Sequence, residues 1–212
     1  MKLHLPVTLL SAVLACYSVA VLTASAETLT SNVTISTDTT WNETTTIGAN
    51  GLTLTIETGK TLTQAEGAFN IGNNSLTITG GETDSLTAQG GSGTYDGGSG
   101  IYSNSLTISG GTVNAAGGNG GKVGGDGIYS NDIDLSGSLE LTAKAGSPNG
   151  KALSRAGSEL DLDDIKDKLD PGAKVTTTDA DGNVIQQVSI PRPVEPEKPV
   201  IPEESSSSSD GG

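Results

Sequence analysis

The chain reads as an all-β protein: a short right-handed parallel β-helix, or β-solenoid, with three strands per rung, a small C-terminal helix and hairpin cap, and a disordered tail. Three observations predict this. The pentapeptide Gly-Ile-Tyr-Ser-Asn stands at 100–104 and again at 127–131, and an alternating strand ending in Ser-Gly follows each copy. The same unit recurs upstream, as Ile71-Gly72-Asn73-Asn74-Ser75-Leu76-Thr77-Ile78 and Ile47-Gly48-Ala49-Asn50-Gly51-Leu52-Thr53-Leu54. The composition, with 30 glycines and 3% aromatics, is too poor in large apolar residues for a conventional globular core. Such a chain is either disordered or a repeat protein with a thin stacked core, and the aligned copies favour the second.

Residues 1–26 read as a cleaved signal peptide. Lys2 and His4 precede an apolar run to about Leu22, and Ala24-Ser25-Ala26 supplies small residues for cleavage. Export to a secreted or cell-surface location follows. Cys16 is the only cysteine, and Val13-Leu14-Ala15-Cys16 loosely matches a lipoprotein box, but the apolar run continues past it to Val21. Cleavage after Ala26 leaves no thiol chemistry or disulfide. The mature part keeps 10 basic residues against 25 acidic ones. That excess argues against nucleic acid and against membrane insertion after signal removal, since nucleic acid and anionic surfaces call for clustered positive charge.

The solenoid is expected over 27–157. The leading apolar residues fall at 47, 71, 101 and 128, spaced 24, 30 and 27 apart. A second strand type leads at Leu62, Leu86, Val113 and Leu141, spaced 24, 27 and 28 apart. Within each strand apolar and polar residues alternate, as in Leu106-Thr107-Ile108, so one face points inward. A single rung cannot bury that face alone; rungs stacked about 4.8 Å apart pair each strand with its copies. Right-handedness follows from the general hand of parallel crossovers. Asn50, Asn74, Asn104 and Asn131 are expected to form a ladder along the axis. Val33-Thr34-Ile35 looks like an incomplete first turn, and Leu153-Ser154 with Leu160-Asp161-Leu162 like a degenerate last one.

Two glycine-rich segments, 89–99 and 116–126, leave the same corner, with a shorter one at 144–151. Sharing a corner, they form one surface, where solenoids usually place binding. Residues 158–190 are expected to cap the open end, with a short helix over 158–169 and a hairpin turning at Asp179-Ala180-Asp181-Gly182. Residues 191–212 form a Pro- and Ser-rich linker, extended and disordered.

No catalytic site is expected. The only histidine, His4, lies in the signal peptide, which removes the commonest general base and every Ser-His arrangement. Carboxylates are dispersed, and Asp132 with Asp134 reads as a solvated strand face. No cofactor is called for. Calcium is the one ion considered, with Asp96 and Asp126 as candidate ligands, although aligning the repeats sets Ser99 rather than Asp96 beside Asp126. Asp179 to Asn183 has the alternating oxygens of a calcium loop but has Ile190 where the closing glutamate belongs. Tyr102 and Tyr129 occupy one repeat position and, with Ile101 and Ile128 inward, point outward one rung apart. With Tyr95 in the adjoining loop they are the candidate ligand-binding residues; a stabilising cross-rung ladder is the alternative.

The pattern Gly-Ile-Tyr-Ser-Asn-Ser-Leu-Thr-Ile-Ser-Gly-Gly at 100–111 resembles that of bacterial secreted carbohydrate-binding β-helix proteins. The resemblance covers roughly residues 47–154 and is carried by fold-forming positions, with no ligand residue matched. It implies a right-handed parallel β-helix that binds plant polysaccharides with calcium. The same style of repeat is similar to that of adhesins and autotransporter passengers. The expected function is therefore a secreted or surface-exposed, non-catalytic protein that binds a polysaccharide or cell-surface glycan. Its alternatives are a stalk or adhesin segment contacting host or surface proteins and, behind that, a polysaccharide-degrading enzyme.

Overall fold

The computed structural model describes residues 28–64 and 69–194. The expected signal peptide with His4 and Cys16, and the tail beyond Val194, lie outside the described residues. What is described is a parallel β-solenoid of about 4 turns, built of a ten-stranded and a seven-stranded sheet.

The repeat predicts the pairing. In the larger sheet Leu52, Leu76, Leu106 and Ile133 stand in register, and Ile108 pairs with Ile78 and Leu135. In the smaller sheet the column is Leu62, Leu86, Val113, Leu141 and Val175. Every one of these side chains is buried. Each contributes about 1.5–3 kcal/mol of transfer free energy, and a one-residue slip would turn a whole strand's set into water. Register is thus set by the apolar columns.

In the early turns the three expected segments are separate strands, as in Thr45–Ile47, Leu52–Ile56 and Thr61–Gln64. In the later turns two of them run on as one strand of 8 residues, Ile101–Ile108 and Ile128–Leu135. Repeat spacing aligns Ile71 with Ile101, but the structure pairs Phe69 with Ile101 and sets Ile71 two residues on, where its N–H donates to the Tyr102 carbonyl at 2.7 Å. The surplus residues are taken up in the turn at Gly72, which has φ 57°. The later turns cross that corner without a turn because serines stand there: Ser103 and Ser130 are buried, and Ser103 Oγ donates to Ser130 Oγ at 2.8 Å.

Two core positions break the apolar pattern together. Thr45 stands in the column of Phe69, Ile101 and Ile128, and Gln64 in that of Ala88, Ala115 and Ala143. Both are buried: Thr45 Oγ1 donates to Gln64 Oε1 at 2.9 Å, and Gln64 Nε2 donates to the Trp41 and Glu43 carbonyls, so the buried polar atoms are satisfied.

The glycine-rich segments are continuations of the ladder. Gly90, Gly93 and Gly97 donate to the Ala116, Asn119 and Val123 carbonyls, each at 2.8 Å. Below them, Gly120 donates to Ser147 at 2.9 Å and Gly146 to Gly125 at 2.8 Å. The layers pack backbone on backbone. A Cβ on Gly118 would fall within the radius of the Gly91 carbonyl oxygen, and one on Gly125 within that of Gly98. Neither glycine has a positive φ, so space and not conformation demands them.

The cap differs from the expected helix. Ser158–Glu159 pairs antiparallel with Leu153–Arg155, which uses the first residues of that segment as strand. What remains makes two 3-10 turns, Leu162–Asp164 and Lys166–Lys168, too short for a stable α-helix. The hairpin is present: Lys174–Thr178 adds in parallel to Glu140–Lys144, and Val184–Ser189 folds back antiparallel. Gln186 ties hairpin to turns, its Oε1 accepting from Leu162 N–H and its Nε2 donating to the Leu160 carbonyl, both at 3.0 Å. Arg192, inside the expected linker, forms an ion pair with Glu82 on the solenoid.

If the glycine layers are close-packed, Gly118→Ala should lower stability by about 1–3 kcal/mol, the usual cost of overpacking. Exposed Ser92→Ala should stay within about 0.5 kcal/mol of the parent. Denaturant midpoints measured for the two variants check this.

Candidate functional site

Tyr102 and Tyr129 are in register on adjacent rungs. Their inward neighbours Ile101 and Ile128 are completely buried, so alternation turns both phenols outward. The ring centroids lie 5.2 Å apart with planes 15° from parallel. Tyr102 is 43% exposed. The rung above places Asn70 opposite Tyr102, and the rung below places Ser154 opposite Tyr129. Because side chains stand roughly perpendicular to a sheet, one face of each ring is turned toward the other.

Two residues further along the same strands are Asn104 and Asn131, both exposed. Asn131 Nδ2 donates to Asn104 Oδ1 at 3.0 Å, which is the expected ladder over one step. The ladder stops there. Asn74 Nδ2 instead donates to the Ile47 carbonyl at 2.6 Å, and Asn50 Oδ1 accepts from the N–H and the hydroxyl of Ser75, each at 2.8 Å. The turn after Ile71 directs these two amides toward backbone.

A wider corner device is present that stacking logic misses. Asn32, Asp38, Asn50, Asn119 and Asp126 each accept a backbone N–H from the next rung, from Thr53, Thr61, Ser75, Ser147 and Lys151, at 2.8–3.0 Å. Each carries the ladder through a corner where the backbone turns away. The readable signal is an Asn or Asp shortly before or within a turn, one rung from a strand start.

Tyr95 is 65% exposed and lies apart from the stacked pair in its contacts: Lys122 Nζ sits 5.1 Å from its ring centroid. The candidate metal carboxylates are not set opposite each other. Asp96 bridges to Val123, while the register that pairs Ile101 with Ile128 sets Asp126 level with Ser99, and Gly100 N–H donates to the Asp126 carbonyl at 3.0 Å. Asp126 is engaged by Lys151 N–H. Among the described residues no three His, Cys, Asp or Glu side chains converge. Asp134 pairs with Lys168 at 2.8 Å. Asp179 is the hinge of its hairpin turn, accepting from the N–H groups of Asp181 and Asn183 at 2.9 and 2.8 Å.

One carboxyl has a notable environment. Glu159 accepts from Ala152 N–H at 3.2 Å and Leu153 N–H at 3.0 Å, sealing the last strand of the larger sheet where no further rung supplies carbonyls. Burial pushes it above its ordinary 4.5 and the neighbouring Asp126 adds to the rise, against the lowering effect of those two N–H groups and Lys151. Asp179 is moved the other way, held down chiefly by the Asn183 side chain.

A scan against protein-family models found no match, and neither did a search of curated proteins or one of solved structures. The functional argument therefore rests on this chain's own geometry. Its outward Tyr and Asn columns can hold a polar ligand by hydrogen bonds.

The raised Glu159 value has a pH consequence. A carboxyl whose folded value lies above its unfolded one stabilises the fold fully below the unfolded value, and that stabilisation is lost as pH rises through the folded value. The parent should thus lose stability relative to Glu159→Gln between pH below 4.5 and neutrality. Asp179 contributes with opposite sign, its stabilisation being lost as pH falls. Unfolding midpoints of the parent and the Gln variant across that range check the Glu159 effect; parallel profiles would contradict it.

Proposed function

We propose that this chain is an exported, non-catalytic binding protein, secreted or held at the cell surface, whose ligand is a polysaccharide or cell-surface glycan. One observation carries the reading: Tyr102 and Tyr129, with Asn104 and Asn131 beside them, repeat the same outward pair of groups on adjacent rungs. Phenol and amide groups grouped on a rigid surface suit a ligand rich in hydroxyls, because they offer both donors and acceptors without charge. A parallel sheet holds them in place before the ligand arrives, which lowers the ordering cost of binding. The resemblance of the repeat to secreted carbohydrate-binding β-helix proteins supports the same ligand class. Calcium enters as a variable of the assay.

The test is binding of the chain to a panel of plant, fungal and bacterial polysaccharides, with and without calcium. Saturable binding is expected. In Tyr102→Ala/Tyr129→Ala, with circular dichroism unchanged, affinity should fall at least about tenfold, equivalent to roughly 1.4 kcal/mol. Binding to no glycan in either condition would overturn the reading and favour a stalk or adhesin segment that contacts proteins. Release of new reducing ends from a bound polysaccharide would overturn its non-catalytic part.

A further inference from the structure

The stacked tyrosines pose a physical problem for the usual way a protein holds a sugar. Ring-face contact needs an uncovered face, and here one face of each ring is turned toward the other, with centroids 5.2 Å apart and planes 15° from parallel. The groups that stand furthest from the sheet are the phenol hydroxyls, one per rung. The amides of Asn104 and Asn131 stand two residues along the same strands, exposed at the corner where the buried positions pass from Ile101 and Ser103 to Leu106 and Ile108. Apart from their mutual bond, neither amide makes a side-chain hydrogen bond among the described residues. That leaves Asn104 Nδ2 hydrogens and the Asn131 Oδ1 oxygen for a ligand. The result is two hydroxyls and two amides at the corners of a small grid, repeated along the solenoid axis.

We infer that a linear polysaccharide lies along the solenoid axis, one sugar residue per rung, and is read by this grid of hydroxyls and amides and not by ring faces. The inference rests on the carbohydrate reading above and specifies how that site works. Three observations support it. Tyr102 and Tyr129 stand in register and Asn131 bonds Asn104 across the same two rungs, so a ligand running along the axis meets the same groups once per rung. Their spacing, 5.2 Å between rings, is close to the rise per residue of an extended, equatorially linked hexopyranose chain. The grid is also bounded. Above it the Tyr register position is taken by Asn70, a third polar group. Below it stands Ser154, which is completely buried and out of a ligand's reach. The footprint is therefore two rungs, with a third contributing through Asn70. Asn104 and Asn131 become specificity-determining residues, because they fix which hydroxyls of each sugar can be paired.

The experiment uses the full chain and an oligosaccharide ladder, from monosaccharide to hexasaccharide, cut from the panel polysaccharide that binds. Affinity is expected to climb to the trisaccharide and then level off. Tyr102→Phe/Tyr129→Phe keeps both rings and their stack and removes only the hydroxyls. It should weaken binding about tenfold or more, as expected for two lost hydrogen bonds. Asn104→Ala/Asn131→Ala should weaken it similarly and change the order of preference among sugars epimeric at one hydroxyl. The Phe variant binding like the parent while the Ala variant fails would overturn the hydroxyl grid and leave the carbohydrate reading standing. Affinity still rising from trisaccharide to hexasaccharide would overturn the two-rung footprint. No binding by the parent to any polysaccharide would overturn the carbohydrate reading itself, which is a separate result.

Discussion

Everything in this fold depends on parallel pairing between a strand and its copy one turn away. A rung of this chain is a loop with an apolar inner edge and carries no stability by itself. Only when Leu62, Leu86, Val113 and Leu141 stand over one another do the side chains leave water and the backbone groups find partners together. The energetics are those of neighbours: each interface adds a similar increment, and the ends need separate treatment. At the C-terminal end that treatment is visible, with an antiparallel strand closing each sheet and Glu159 accepting the N–H groups that no further rung can meet.

The same constraint explains where glycine, asparagine and aspartate are spent. Wherever a turn leaves the sheets, the ladder would lapse. At sharp corners an Asx side chain supplies the missing acceptor, as Asp126 does for Lys151. Along the long excursions the backbones close together instead, at a distance that excludes Cβ, so Gly118 and Gly125 pack directly on carbonyls of the layer above. These excursions thereby become structural layers. The strand carrying Tyr102 leaves directly from the end of one of them.

Much of this was legible in the residues. Alternation and the duplicated Gly-Ile-Tyr-Ser-Asn suffice to pair Ile101 with Ile128 and Tyr102 with Tyr129, and the structure places them so. The second-strand alignment is likewise found. What failed did so for local reasons. Spacing alone aligned Ile71 with Ile101, because residues absorbed in a turn are invisible to a count; Phe69 holds that place. The asparagine ladder holds only between Asn104 and Asn131, where one strand continues through the corner. The expected helix over 158–169 lost its first residues to strand pairing, which tertiary contact decides and local pattern does not. Stacking of Tyr102 on Tyr129 was legible from their shared repeat position, and the structure gives it, with centroids 5.2 Å apart.

Cross-rung pairing extends through the glycine-rich segments and joins sheets, corners and layers into one continuous ladder. Amide hydrogen exchange, resolved by residue, tests it most directly. The account predicts that Gly93, Gly97, Gly118 and Gly120, all donors to another layer, exchange with protection comparable to the neighbouring strands. Exchange of these amides at the rate of unstructured chain, while the Leu and Ile columns stay protected, would contradict it.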